Sequence, residues 1–125
     1  MNCLSVTKDE NGYSGLVQLN IADIAFLESR TGKILIHTIH NDTFYTVGSL
    51  KYWTQVLNST GFSFFIADRN NSVHMDNIVE MNGFLKVAYF ERNRGNTSKH
   101  CTMSKSGYKE VSMLLDIARS AVVYS

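Results

Sequence analysis

The chain has 125 residues, 44% of them hydrophobic and 18% charged, and a formal net charge of +1. This length supports one domain, residues 1–125, with a sizeable core, and the near-neutral charge excludes a global field that would draw nucleic acid or an acidic membrane. Two cysteines, Cys3 and Cys101, make no disulfide framework, no apolar run approaches the roughly 20 residues that span a bilayer, and the N-terminus carries no signal peptide, so a cytoplasmic setting is expected.

The predicted elements are mostly short strands. Residues 3–8 alternate apolar and polar, Asn11-Gly12 signals a turn, and 15–21 follows as the second strand. Residues 23–28 (DIAFLE) form a more continuous apolar run, predicting a strand buried on both faces. A turn over 29–33 with two basic residues leads to a hairpin of 34–40 and 43–47 across Asn41-Asp42. The period then changes to 3.6. Ser49 is a natural N-cap, Leu50, Trp53, Val56 and Leu57 share one face, and Gly61 ends the helix. Strands over 63–67 and 72–75 flank the polar break Asp68-Arg69-Asn70-Asn71. A further hairpin, 76–81 with 84–90, turns over Asn82-Gly83. A polar, basic loop over 91–98 precedes a strand at 99–103. A helix from Gly107 to about Ala121 carries Tyr108, Val111, Leu114, Leu115, Ala118 and Val122 on its apolar stripe, with Ser104 or Ser106 as its cap. Helical segments do not alternate with strands, so a parallel α/β fold is excluded in favour of a mainly β one.

Charge is unevenly distributed. Residues 86–109 hold six basic residues against Glu91 alone, a local +5, whereas residues 1–85 have a local −3. A one-sided electrostatic footprint follows. His37, His40, His74, His100 and the cysteines show no metal-ligand spacing; His37 and His40, three apart in a strand, face opposite ways. No nucleophile elbow and no phosphate-binding glycine loop is present. No catalysis, metal or cofactor is therefore expected. Three polar segments could instead meet nucleic acid. They are Ser29–Lys33 with Arg30, the break holding Arg69, Asn70 and Asn71, and residues 92–106 with Arg92, Arg94, Lys99 and Lys105. Arg and Asn suit base edges, and Lys and Ser suit phosphates. Each segment on its own also reads as an ordinary solvated loop. Neither helix has the charge pattern of a recognition helix, so DNA contact would have to come from loops.

Over roughly residues 3–118 the sequence resembles the LytTR-type DNA-binding domain of bacterial response regulators. Four segments carry the resemblance: "IADIAFLES", "TFYTVGSLKYWTQVLNSTGFSFF", "DRNNSVHMDNI" and "CTMSKSGYKEVSMLL". They are similar to the family's buried strand, its strand and short helix, its His-Arg-Ser-x-x-Val-Asn segment, and its Ser-Arg strand end with a terminal amphipathic helix. The resemblance implies an elongated fold of about ten mainly antiparallel strands in three sheets, with a short internal helix and a C-terminal helix. It implies a transcription regulator that reads the major grooves of duplex DNA through loops, commonly bends it, and targets paired direct repeats. By position, Arg69 and Asn70 would contact bases or phosphates, as would Lys105 with Ser104 and Ser106 beside it; Arg30 and Lys33 lie in the first contact loop. Asp68 stands where the family has histidine, His74 where it has a structural asparagine, and Lys105 where it has arginine. The sequence shows no receiver domain, so a stand-alone regulator or a fragment of a longer one is expected, with Met1 followed at once by a strand favouring the former. The alternative is a LytTR-like protein-binding module that modulates another transcription regulator; a protein partner or a homodimer is a further candidate assembly.

Overall fold

The structure, a computed structural model, describes residues 2–92, 98–118 and 122–124. Among these, seven strands form one sheet: β1 (Cys3–Thr7), β2 (Leu16–Asn20), β3 (Ile24–Arg30), β4 (Lys33–Thr38), β5 (Thr43–Val47), β6 (Phe64–Asp68) and β7 (Asn71–His74). Their order is β2-β1-β5-β4-β3-β7-β6. A second sheet holds β8 (Glu80–Asn82), β9 (Val87–Tyr89), β10 (His100–Thr102) and β11 (Val123–Tyr124), in the order β10-β9-β8-β11. Helix α1 (Leu50–Ser59) connects β5 to β6, and α2 (Lys105–Ala118) follows β10. β11 runs parallel to β8, and the other strand pairs are antiparallel. The mainly β fold with two helices is as expected. The expected three sheets are two, because the β1–β2 hairpin is fused to the larger sheet by a single rung, Thr7 opposite Tyr45.

Two apolar cores lie on opposite faces of the seven-stranded sheet. One packs Val6, Leu19, Ile24, Leu27, Ile34, Ile36 and Phe64 against Leu50 and Leu57 of α1. The other packs Ala25, Phe26, Ala67 and Val73 against the second sheet and against Val111 and Leu115 of α2. β3 serves both cores, as its unbroken apolar run predicts. A register shift between Ile24 and Phe26 turns Ala25 and Phe26 to the same side, while Ile24 and Leu27 keep the other.

Local signals are met with revisions. Ser49 caps α1 by accepting from the Tyr52 N–H at 3.0 Å, a contact worth about 1 kcal/mol. The Asn82-Gly83 hairpin exists, but β8 ends at Asn82 and β9 begins at Val87, which leaves a four-residue turn. The Asn82 side chain causes this by accepting from the N–H groups of both Phe84 and Leu85. Helix α2 starts at Lys105, two residues before the expected Gly107, because Ser104 takes the capping role. The expected helix end at Ala121 and the loop residues 93–97 lie outside the described residues, and Val122 stands just before β11 rather than on the helix stripe.

Candidate nucleic-acid interface

Strand order brings two of the three polar segments together. β3 lies between β4 and β7, so the Thr31-Gly32 turn and the Arg69-Asn70 turn project from the same end of the sheet. They are joined directly: the Ser29 N–H donates to the Asn70 carbonyl at 2.8 Å. Thr31 holds a φ of +46° and Gly32 one of +82°, the left-handed pair that a tight hairpin of right-twisted strands needs. At this end Arg30 is exposed but engaged, its guanidinium 2.6 Å from the Glu28 carboxylate. Lys33 donates to the Glu10 carbonyl of the β1–β2 loop. That loop is folded around Asp9, which accepts from the N–H groups of Tyr13 and Ser14 and from the Ser14 hydroxyl; these bonds hold its carboxyl down at about 2.

The β6–β7 turn is shaped by Asp68, whose carboxylate accepts from the Asn70 N–H at 3.1 Å. Asp68 thus has a turn-forming role. Arg69 and Asn70 are exposed, and Arg69 has no hydrogen-bond or ion-pair partner among the described residues. The start of α2 docks beside them. The Ser104 N–H donates to the Ala67 carbonyl at 3.0 Å, the Ser104 hydroxyl to the same oxygen at 3.2 Å, and the Gly107 N–H donates to the Ser104 hydroxyl. A shallow groove of about 320 Å³ is thus lined by Asp68, Arg69, Ser104 and Ser106. Lys105 is exposed on the first turn of the helix.

The remaining cations lie elsewhere. Lys99 donates its backbone N–H to the Asn41 side chain and its ammonium to Thr43, and burial pushes its pKa down. Asn41 also donates to Glu91, next to the exposed Arg92. Both therefore belong to the β4–β5 turn, at the opposite end of the sheet. Five strand residues at about 3.3 Å each put the two ends roughly 17 Å apart. Arg94 lies outside the described residues.

The LytTr DNA-binding domain family matches residues 14–116. The chain belongs to this family. No match is found among curated proteins. Among solved structures, the LytTR domain is similar to the LytTr DNA-binding domain of a protein from Bacillus cereus, at 15% identity and a TM-score of 0.68, covering 92% of this chain and 97% of that one. That likeness speaks for the fold.

Several polar residues of this LytTR domain have interior roles that its sequence alone did not reveal. Asn71, an expected contact, is buried, and its amide donates to the carbonyl and the hydroxyl of Thr102, both at 3.0 Å. It ties β7 to β10 across the two sheets. His74 is only 2% exposed, stacks on Phe64 at 4.3 Å, and donates from Nδ1 to the Ile24 carbonyl at 2.7 Å. Burial pushes its pKa down, which favours the neutral ring.

His37 is also buried and lines a cavity of about 300 Å³ with Glu28, Asn71, Lys99 and Thr102. Its Nε2 is 2.9 Å from Glu28, an imidazole–carboxylate pair of the kind a catalytic site would use. Its Nδ1 is buried and has no hydrogen-bond partner among the described residues. Glu28 is in turn held by Arg30, and burial pushes the His37 pKa down. Of the four histidines, His37 and His74 are buried, and His40 and His100 are exposed. Cys101 is buried, with its thiol pKa pushed up, whereas Cys3 is exposed. Among the described residues, no three His, Cys, Asp or Glu side chains gather as metal ligands would, and no helix is long and apolar enough to cross a membrane. LytTR is a family of DNA-binding domains rather than of enzymes.

Proposed function

We propose that this domain binds duplex DNA in a sequence-specific way through the turns at one end of its seven-stranded sheet, and that it regulates transcription by doing so. The observation that carries this reading is the unpartnered Arg69 on a turn braced from both sides, by Asp68 within it and by Ser29 next to it. A guanidinium fixed at its base and free at its tip suits the bidentate geometry of guanine O6 and N7. Asn70 sits beside it for an adenine edge. Lys105, Ser104 and Ser106 meet phosphates at the start of α2, where the helix dipole also favours an anion. Arg30 joins them by exchanging Glu28 for a phosphate. Asn71 is left out of the contact set because its amide is spent on Thr102. Arg92 and Lys99 serve as distal phosphate contacts if the duplex extends past the far turn, and paired direct repeats would let two domains bind side by side.

The test is selection from a pool of random duplexes, followed by affinity measurements across a salt series. An enriched motif, bound with an affinity that falls as salt rises, supports the reading. No enrichment favours the second reading, a protein-binding module. One observation stands behind that alternative: Met113, Leu114 and Ile117 are exposed on α2, next to an apolar groove lined by Phe62, Phe65 and Met75. Sedimentation of the purified protein would then show a self-associating species.

A further inference from the structure

The β8–β9 turn carries a feature the contact set above does not use. Phe84 is 92% exposed and Leu85 57% exposed, side by side at its tip. Single exposed apolar residues are ordinary on protein surfaces. Two adjacent ones on a turn held by this many bonds are not explained by chain connection alone. The Asn82 carboxamide accepts from the Phe84 N–H at 3.0 Å and from the Leu85 N–H at 2.9 Å. Lys86 adopts a φ of +58°, and its carbonyl accepts from the Met103 N–H at 2.9 Å. Its ammonium donates to the Gly83 carbonyl and lies 5.3 Å over the Tyr108 ring. The turn is thus ordered by folding and would lose little freedom on binding.

Its position is fixed by the same bonds. Met103 immediately precedes Ser104 and Lys105, and β10 pairs with β9 so that Thr102 faces Val87. The turn therefore lies at the end where β6 meets the start of α2, with Phe84 two Cα steps, about 7 Å, from Lys86. On the helix, exposed Lys105 and Lys109 stand on either side in sequence of Tyr108, the residue whose ring the Lys86 ammonium covers. An apolar tip with the Lys86 ammonium at its base, on a turn bonded to the strand that leads into α2, matches one macromolecule well. The thymine methyl is the apolar group on a base edge in the major groove, phenylalanine is among the side chains that contact it, and a groove of about 12 Å width admits a two-stranded ribbon. A protein partner fits less well, since a stable interface takes about 800 Å² from each side and this tip offers two side chains.

We propose that Phe84, with Leu85 beside it, reads thymine methyl groups in the duplex contacted by Arg69 and Lys105, an inference that rests on the DNA-binding reading above. The test uses the selected duplex, in which each thymine is replaced in turn by uracil, deleting only the methyl group. Wild-type protein is expected to lose roughly fourfold in affinity at one or two of these positions, the scale of one buried methyl. Phe84→Ala is expected to bind about tenfold more weakly and to show no further loss with uracil, while Phe84→Leu keeps most of the affinity and of the uracil penalty. Because the side chain is exposed, both variants should melt as the wild type does. The inference is overturned if Phe84→Ala binds the thymine duplex like wild type, or keeps the full uracil penalty. It is also overturned if no uracil position matters. In those cases a weakened Arg69→Ala control would leave the DNA-binding reading standing. A wild-type protein that selects no sequence at all overturns both.

Discussion

Arg69 and Asn71 are two residues apart and differ in everything that bears on binding. Arg69 is exposed without a partner among the described residues, and Asn71 is buried and bonded across to β10. Arg69→Ala is expected to weaken binding to the selected duplex by roughly 1–3 kcal/mol and to relax preference at one base pair, with the melting temperature unchanged. Asn71→Ala should do the reverse. It removes the two hydrogen bonds from the buried Asn71 amide to Thr102 and costs roughly 1–2 kcal/mol of stability, read as a lower denaturant midpoint, while base preference at the selected site is kept. The polar run Asp68-Arg69-Asn70-Asn71 is legible in the sequence as a candidate contact segment. Which of its members faces inward is not, because the deciding partner is Thr102, 31 residues further along the chain. His74 repeats the point: its partner Ile24 is 50 residues away, so a polar residue in a strand reads as exposed until the strand next to it is known.

At the scale of elements, local chemistry is legible in the sequence where the signal is itself local. The Ser49 cap, the end of α1 near Gly61, the buried β3 run and the hairpin over Asn82 all depend on residues within a few positions of one another. Close approach between distant elements leaves no such trace, and Gly107 is the clearest instance. A Cβ at this position would sit 1.8 Å from the Ala67 carbonyl oxygen, inside the backbone of β6. Glycine is thus what lets α2 begin against the strand that ends at the reading turn. Gly107→Ala should force the helix start away from β6, at a cost of roughly 1–3 kcal/mol in unfolding free energy. It should also weaken DNA binding without touching a contact residue. Chemical denaturation, together with the affinity for the selected duplex, checks both parts; a variant as stable as wild type would mean that the helix shifts at no cost.

For the whole molecule, the two buried histidines set the response to acid. Burial pushes His37 and His74 below the ordinary imidazole value of about 6.5, so in that window the unfolded chain binds protons that the native protein does not. Stability should therefore hold at neutral pH and fall as pH drops below about 6.5, by up to about 1.4 kcal/mol per unit for each group until its native pKa is reached. Glu28 is shifted down, so its contribution is lost only at more acid pH, as pH falls through the carboxylate range. Thermal melts between pH 7.5 and 5.0 would show the decline, and His74→Asn should flatten part of it. A melting temperature constant across that range would mean that the rings are solvated in the native state.

The two thiols differ sharply in exposure. Cys101 is sealed between the sheets, and Cys3 is exposed at the start of β1, the far end of the strand from the β1–β2 loop. The natural chain therefore carries a single addressable point for a fluorophore, set about four strand residues, or ~13 Å, back from the loop that Lys33 joins to the turns. A dye placed there would report on the approach of a labelled duplex while every side chain of the proposed interface stays as it is.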